Sequence, residues 1–191
     1  MMKRATYEDV LKAPETKIAE ILDGELFLSP MLAPRVGIVH MELLCAIGRP
    51  FDDARHGPGG WRIISKPEIH LGEHVVVPDL CGWRREDMPT IPDADYFSDP
   101  PGWVCELLAP PTERFDRSRK LRIYAEAGVP HAWLVKPSDR TLEVLRLRDG
   151  AWTIVGVWED AAVVRAEPFE AIELELGRLW PDEVSAAPPP R

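Results

Sequence analysis

The sequence lacks long apolar runs and has few cysteines. No run approaches the roughly 18–20 apolar residues that span a bilayer. The opening residues, MMKRATYEDVLK, have no apolar segment behind their basic residues, so no secretory signal is predicted. The three cysteines, Cys45, Cys81 and Cys105, include no CxxC pair, which argues against a disulfide framework and a structural zinc site. We therefore expect a cytoplasmic protein with no membrane contact.

Basic residues are also fewer than acidic residues. The 191 residues include 23 Lys and Arg against 32 Asp and Glu, a formal net charge of −9. A protein that coats nucleic acid usually carries a positive face. The acidic balance argues against a strong non-specific DNA binder, but it is compatible with a local basic patch and with an acidic cation site.

Length and local patterns predict one mixed domain. We assign residues 1–184 to a single domain and residues 185–191, SAAPPPR, to a disordered Pro-rich tail. Asp23-Gly24 is typical of a type I′ turn and joins two predicted strands in a hairpin. The other main predicted elements are a short helix capped by Thr6, a helix from Pro34 to about Ala54, strands 61–65, 68–71, 75–83 and 131–137, a strand around Glu106, a helix over 115–128, a hairpin around Asp149-Gly150 and a last strand 171–176. This order predicts an α/β or α+β fold with one central sheet flanked by helices.

Two acids stand in apolar strands. Glu106 interrupts the run VCELL, and Asp79 follows VVVP. A buried carboxylate needs compensation. If the two strands are neighbours, the acids converge, and a divalent cation between them would relieve their repulsion. A buried salt bridge to Lys120 or a nearby arginine is the other solution.

The segment around Lys120 is locally basic. Its basic residues are Arg114, Arg117, Arg119, Lys120 and Arg122. Such a run is typical of a solvated helix face, and contact with a phosphate backbone is the rival interpretation.

Several motifs together carry a family resemblance. VVVPDL with Asp79, VCELLAPPT with Glu106 and the run KLRIYAEAGVPHAWLV resemble the bacterial putative restriction endonuclease family. That family, abundant in cyanobacteria and long known as a domain of unknown function, belongs to the PD-(D/E)xK nuclease superfamily. The hairpin EILDGEL and the late EVLRL–DG–W hairpin also match, so the resemblance runs from about Tyr7 to Trp180.

The resemblance implies a restriction-endonuclease-like fold, a central mixed sheet with helices on either side and additional hairpins. It also implies a metal-dependent endonuclease that acts on nucleic acid, with DNA as the expected substrate, and a homodimer. Asp79, Glu106 and the Leu107 carbonyl would bind Mg²⁺ or Mn²⁺, and Lys120 would act in catalysis. Glu20 would complete the acidic cluster. His40, whose position is otherwise typical of a helix core, would support the site from beside it. The residues that would contact nucleic acid are Arg114, Arg117 and Arg119.

Two positions depart from the superfamily pattern. Leu108 stands where the pattern has lysine, so the lysine role is assigned to Lys120 on the helix. Ala109 stands where the family more often has serine. These departures, with the acidic net charge, keep a second hypothesis open: a catalytically inactive binding or assembly module with the nuclease fold. A metal-dependent hydrolase of other phosphate esters is the third.

Overall fold

The computed structural model describes residues 4–53 and 57–181. The predicted disordered tail, residues 185–191, lies outside the described residues, as do the last residues of the predicted domain and Ala54, the predicted end of the long helix. The helices are α1 (Tyr7–Leu11), α2 (Pro34–Phe51), α3 (Glu113–Phe115) and α4 (Leu121–Glu126), with a π-helical turn (Asp116–Lys120) between α3 and α4 and a 3-10 turn (Leu176–Arg178) near the end.

The strands follow the predicted order with one important difference. They are β1 (Lys17–Leu22), β2 (Glu25–Pro30), β3 (Trp61–Ser65), β4 (Ile69–Leu71), β5 (His74–Val76), β6 (Leu80–Arg84), β7 (Trp103–Leu107), β8 (His131–Lys136), β9 (Thr141–Arg148), β10 (Ala151–Glu159), β11 (Val163–Val164) and β12 (Leu174–Glu175). The predicted single strand 75–83 is wrong, because the chain breaks at Pro78 into β5 and β6. Proline lacks the N–H that an internal strand donates.

The break sends the two halves into different sheets. A six-stranded mixed sheet has the order β10-β9-β8-β7-β6-β3, with β7 and β8 parallel and the other neighbours antiparallel. A four-stranded sheet has the order β2-β1-β5-β4, and β11 pairs with β12. The central mixed sheet is therefore as predicted, and the four-stranded sheet and the β11–β12 pair are additional to it.

The two faces of the central sheet bury separate apolar clusters. Along β7, Trp103, Cys105 and Leu107 pack on the side of α2. Val104 and Leu108 pack on the opposite side, with residues of α4. Side chains alternate between faces along a strand, so Glu106 points to the side that α4 covers. The fold thus directs Glu106 towards the helical segment that carries Lys120.

Candidate active site

Asp79 and Glu106 lie at adjacent ends of β6 and β7. Leu80 pairs with Cys105 across these antiparallel strands, and one further step places Asp79 opposite Glu106. Opposite residues in an antiparallel pair share a face of the sheet. The structure therefore brings the two acids to one point, as expected if their strands are neighbours.

A salt bridge compensates the buried Glu106. Its side chain is 3% exposed, and its Oε1 lies 2.9 Å from the Nζ of Lys120. The hydroxyl of Tyr124 donates to the same oxygen at 2.5 Å. Burial raises the pKa of Glu106 well above its usual range, and the acids nearby add to this, while Lys120 opposes it. The carboxylate is thus held by two donors from the helical segment.

Lys120 joins several acids at once. Its Nζ lies 3.0 Å from Oε1 of Glu20 and 3.7 Å from Oδ1 of Asp116, and it donates to the carbonyl of Val77 at 3.3 Å. Burial alone would lower the pKa of Lys120, but attraction by Glu106 and Glu20 holds it well above its usual range. Lys120 therefore stays charged, and it ties β1 and β7 to the helical segment.

A π-turn presents the polar side chains of this segment. The Leu121 N–H reaches back to the carbonyl of Asp116, a spacing of five residues that is common at functional sites. Asp116, Lys120 and Tyr124 follow one another at intervals of four and are all buried. Asp116 and Tyr124 were not among the predicted site residues, although their spacing from Lys120 was an available signal.

Asp79 is held on both carboxylate oxygens. Lys66 Nζ lies 2.6 Å from its Oδ1, and the Leu107 N–H donates to its Oδ2 at 2.7 Å. The Lys66 N–H also donates to the Asp79 carbonyl at 3.0 Å. Lys66 has a left-handed backbone with φ of 48°, a conformation that is uncommon outside glycine and is enriched at functional sites. No sequence pattern marked Lys66.

His40 supports the backbone of Asp79. This buried residue of α2 has its Nε2 3.0 Å from the Asp79 carbonyl and 3.2 Å from the hydroxyl of Ser65. The predicted supporting residue therefore lies beside Asp79 and contacts its backbone carbonyl rather than its carboxylate. Its role stays a prediction.

The acids and lysines line one cavity of about 270 Å³. Its charged lining consists of Glu20, Asp79, Glu106, Asp116, Lys66 and Lys120, which give a formal balance of four negative and two positive charges. Leu107 and Ala109 also line the cavity. Leu108, at the position where the superfamily has lysine, is buried in the apolar cluster.

The donor chemistry fits a hard divalent cation. Mg²⁺ takes one or two carboxylates and keeps several waters, and Asp79 and Glu106 lie together among the four carboxylates that line this cavity. Within residues 4–53 and 57–181, no group of three or more His, Cys, Asp or Glu side chains is spaced to hold a metal ion. A cation here would therefore use Asp79 and Glu106 with water, and it would share them with the lysine ammonium groups.

The predicted nucleic-acid contacts lie outside the cavity lining. Arg117 pairs with Glu143 and Arg119 pairs with Glu25, whose closest N–O distances are 2.5 and 2.7 Å. Arg114 is exposed. Two of the three predicted arginines are thus matched by acids, and the structure leaves their role as a prediction.

Comparison with known proteins supports the fold assignment. Four chains of solved structures match, including the 1.96 Å crystal structure described as a putative nuclease belonging to DUF820 from Anabaena variabilis ATCC 29413. That structure superposes with a TM-score of 0.74 at 22% identity, over 92% of this chain and 97% of that one. This chain thus shares the nuclease-like fold of that structure.

A family model identifies the chain more closely. The model described as Uma2, putative restriction endonuclease, matches residues 5–177. The chain therefore belongs to this family, as the motifs predicted. A search of the curated proteins gave no match. Among the described residues, no helix combines the length and the apolar character that crossing a membrane requires.

Proposed function

We propose that this protein is a divalent-cation-dependent nuclease that hydrolyses phosphodiester bonds, with DNA as the expected substrate. The observation that carries the proposal is the position of Asp79 and Glu106 side by side in a cavity that also holds the ammonium of Lys120. Family membership and the description of the Anabaena protein as a nuclease support it.

Asp79 and Glu106 would hold Mg²⁺ or Mn²⁺ together with water, and the Leu107 carbonyl is a further candidate ligand. Glu20 would hold the Lys120 ammonium in place. A bound divalent cation lowers the pKa of water and stabilises negative charge on phosphoryl oxygens. The protein's own part is orientation: Leu107 N–H fixes one oxygen of Asp79, and Tyr124 fixes one oxygen of Glu106. Lys120 supplies a positive charge beside Glu106, and Arg114 is the exposed candidate for a phosphate contact.

Cation binding should depend on pH. Because burial raises the pKa of Glu106, a proton competes with the cation for this carboxylate. We expect Mn²⁺ affinity to increase as the pH rises, with proton release that isothermal titration calorimetry detects in buffers of different ionisation enthalpy. Affinity that is independent of pH would contradict Glu106 as a ligand.

The functional test compares cleavage by the wild type, Asp79→Asn and Glu106→Gln, with labelled DNA and RNA in Mg²⁺ or Mn²⁺. Both substitutions keep the side-chain shape and remove the charge. Glu73→Gln is the matched control, because this carboxylate is exposed and lies outside the cavity lining. Cleavage that survives in Asp79→Asn and Glu106→Gln at the wild-type rate would refute the mechanism.

One observation favours a second candidate function. Lysines already neutralise both predicted cation ligands, as expected for an inactive binding or assembly module that keeps the nuclease fold. Calorimetry with Mn²⁺ separates the two: the module predicts no heat of binding and no thermal stabilisation. The homodimer stays a prediction from the resemblance, and sedimentation velocity tests it.

A further inference from the structure

The charged groups of the cavity lie below the protein surface. Glu106 and Lys120 are 2% and 3% exposed, and Asp79 is 8% exposed. A phosphodiester can reach them only by entering the cavity of about 270 Å³. The backbone of the substrate must therefore bend locally into a recess, rather than lie across a flat face.

Two connecting segments form the walls of this recess. The link from β2 to α2 contributes Met31, Leu32 and Ala33, and the turn after β7 contributes Ala109 and Pro110. These side chains are apolar, so they suit the faces of a sugar or a base better than a row of phosphates. A wall of this kind accommodates a nucleotide that has left the base stack.

Within the described residues, the surface beside the recess exposes Arg35 and Arg114 without an acidic partner, whereas Arg117 and Arg119 are paired with acids. A protein that holds duplex DNA through about 6–10 phosphate contacts needs Lys and Arg side chains to neutralise those phosphates. Here Arg117 is matched by Glu143 and Glu113, and Arg119 by Glu25 and Asp23. Each such arginine brings an acid to the same place, so the local field largely cancels.

We infer that the substrate enters this site as a flexible single strand, held through few phosphates, and that a regular duplex is excluded. The inference rests on the proposed function and specifies its substrate class. DNA duplex is stiff, with a persistence length of about 150 base pairs, and bending it sharply costs on the order of 1–6 kcal/mol, which a site with few phosphate contacts does not offset. A single strand can splay its nucleotides at low cost, and enzymes with recessed sites use this property.

The test uses one labelled DNA that is single-stranded over one half and duplex over the other, incubated with the full chain and Mn²⁺. We expect cleavage in the single-stranded half to exceed cleavage in the duplex half by about tenfold or more, given the few cations near the recess. Equal cleavage of both halves overturns this inference and leaves the nuclease function standing. Cleavage of neither half overturns both.

Salt dependence gives an independent readout. In a plot of log affinity against log salt concentration, each neutralised phosphate of a single strand contributes about 0.7 to the slope. With one or two phosphates neutralised, affinity for the labelled single strand should therefore fall less than about tenfold between 50 and 200 mM salt. Fluorescence anisotropy without divalent cations measures this. A loss of about a thousandfold or more would indicate a broad phosphate interface and overturn the inference.

A variant at the cavity mouth localises the effect. Ala33 is exposed and lines the cavity, so Ala33→Trp should narrow the entrance without disturbing the core. Ala151→Trp is the matched control, since Ala151 is an exposed alanine on β10, outside the lining. We expect Ala33→Trp alone to lower single-strand cleavage, with both variants melting at the wild-type temperature. Equal rates for the two variants would overturn the entry route.

Discussion

Two lysine–carboxylate pairs share the cavity but differ in burial. Lys120 and Glu106 lie 2.9 Å apart, with side chains 4% and 3% exposed. Lys66 and Asp79 lie 2.6 Å apart, with side chains 21% and 11% exposed. The Lys66–Asp79 pair has the shorter N–O distance but is the more exposed to solvent. The distance alone therefore does not show which pair contributes more to the free energy of unfolding. Breaking the buried pair strands charges in a low dielectric, whereas water can replace part of the other pair.

The comparison is tested most strongly by Lys120→Met. Removing this ammonium leaves Glu20, Glu106 and Asp116 buried around an apolar side chain, and breaking a buried pair costs about 3–5 kcal/mol. Urea unfolding measures the loss. The matched control is Lys12→Met, which breaks the exposed i,i+4 pair with Glu8 and should cost about 0.5 kcal/mol or less. Equal stability of the two variants would contradict the structural role of Lys120.

Asp116, which lies beside the buried Lys120–Glu106 pair, should make the stability of the protein depend on pH. Burial raises the pKa of Asp116 to about 6, whereas the unfolded chain releases this proton near 4. The folded state therefore holds more protons across this window, so stability decreases as the pH rises from about 4 to 6. The decrease is at most about 3 kcal/mol, at 1.36 kcal/mol per pKa unit.

Asp116→Asn tests this dependence, because the amide cannot ionise. Its stability relative to the wild type should improve as the pH rises through the window, whatever constant offset the lost contact with Lys120 introduces. Urea unfolding at stepped pH gives the difference curve. A flat difference curve between pH 4 and 6 would show that Asp116 does not titrate as expected.

Tyr124→Phe should have an intermediate effect. The hydroxyl donates to Glu106 in the interior, and removing one partner of a buried hydrogen bond costs about 1–3 kcal/mol. Tyr96→Phe is the control, because Tyr96 is 39% exposed and its hydroxyl can bond to water. Equal denaturant midpoints for the two variants would contradict a stabilising Tyr124–Glu106 hydrogen bond.

Lys66→Met should have the smallest effect on stability, and it should strengthen cation binding. This pair is more exposed than the Lys120–Glu106 pair but is not a surface pair, so we expect a loss of about 1–2 kcal/mol, between the values for exposed and buried pairs. The substitution also frees an oxygen of Asp79, so we expect tighter Mn²⁺ binding by calorimetry. A loss of stability as large as that of Lys120→Met would remove the distinction between the two pairs.

Local patterns predicted much of the fold and the central acids. Asp-Gly turns located both hairpins, and the isolated carboxylates in apolar strands pointed to Asp79 and Glu106. Both signals are local: a turn needs two particular residues, and a charge in an apolar strand needs a partner. Lys120 was one of the predicted partners of Glu106, together with a nearby arginine, because a helix that follows a strand packs back over the sheet, and the structure shows the Lys120 salt bridge.

What the sequence did not predict depends on contacts between distant segments. Lys66 meets Asp79 because β3 and β6 pair, and nothing around Lys66 marks this contact. The split of 75–83 had a local signal in Pro78, whereas the pairing of β5 with β1 in a second sheet is a contact between distant segments. Tyr124 was within reach of sequence reasoning, because it lies four residues after Lys120 on the same helical segment.

The π-turn between α3 and α4 has a consequence for how this segment tolerates changes in length. Successive residues of an α-helix are offset by about 100° around its axis. Removing one residue within Asp116–Lys120 would convert the wide turn into an ordinary one and rotate everything upstream relative to everything downstream. Because Asp116 and Tyr124 stand on either side of Lys120, no single rotation keeps all three aimed inward. The number of residues in this segment therefore determines the direction in which each of its side chains points. Deletions there should be far less tolerated than substitutions at its exposed positions.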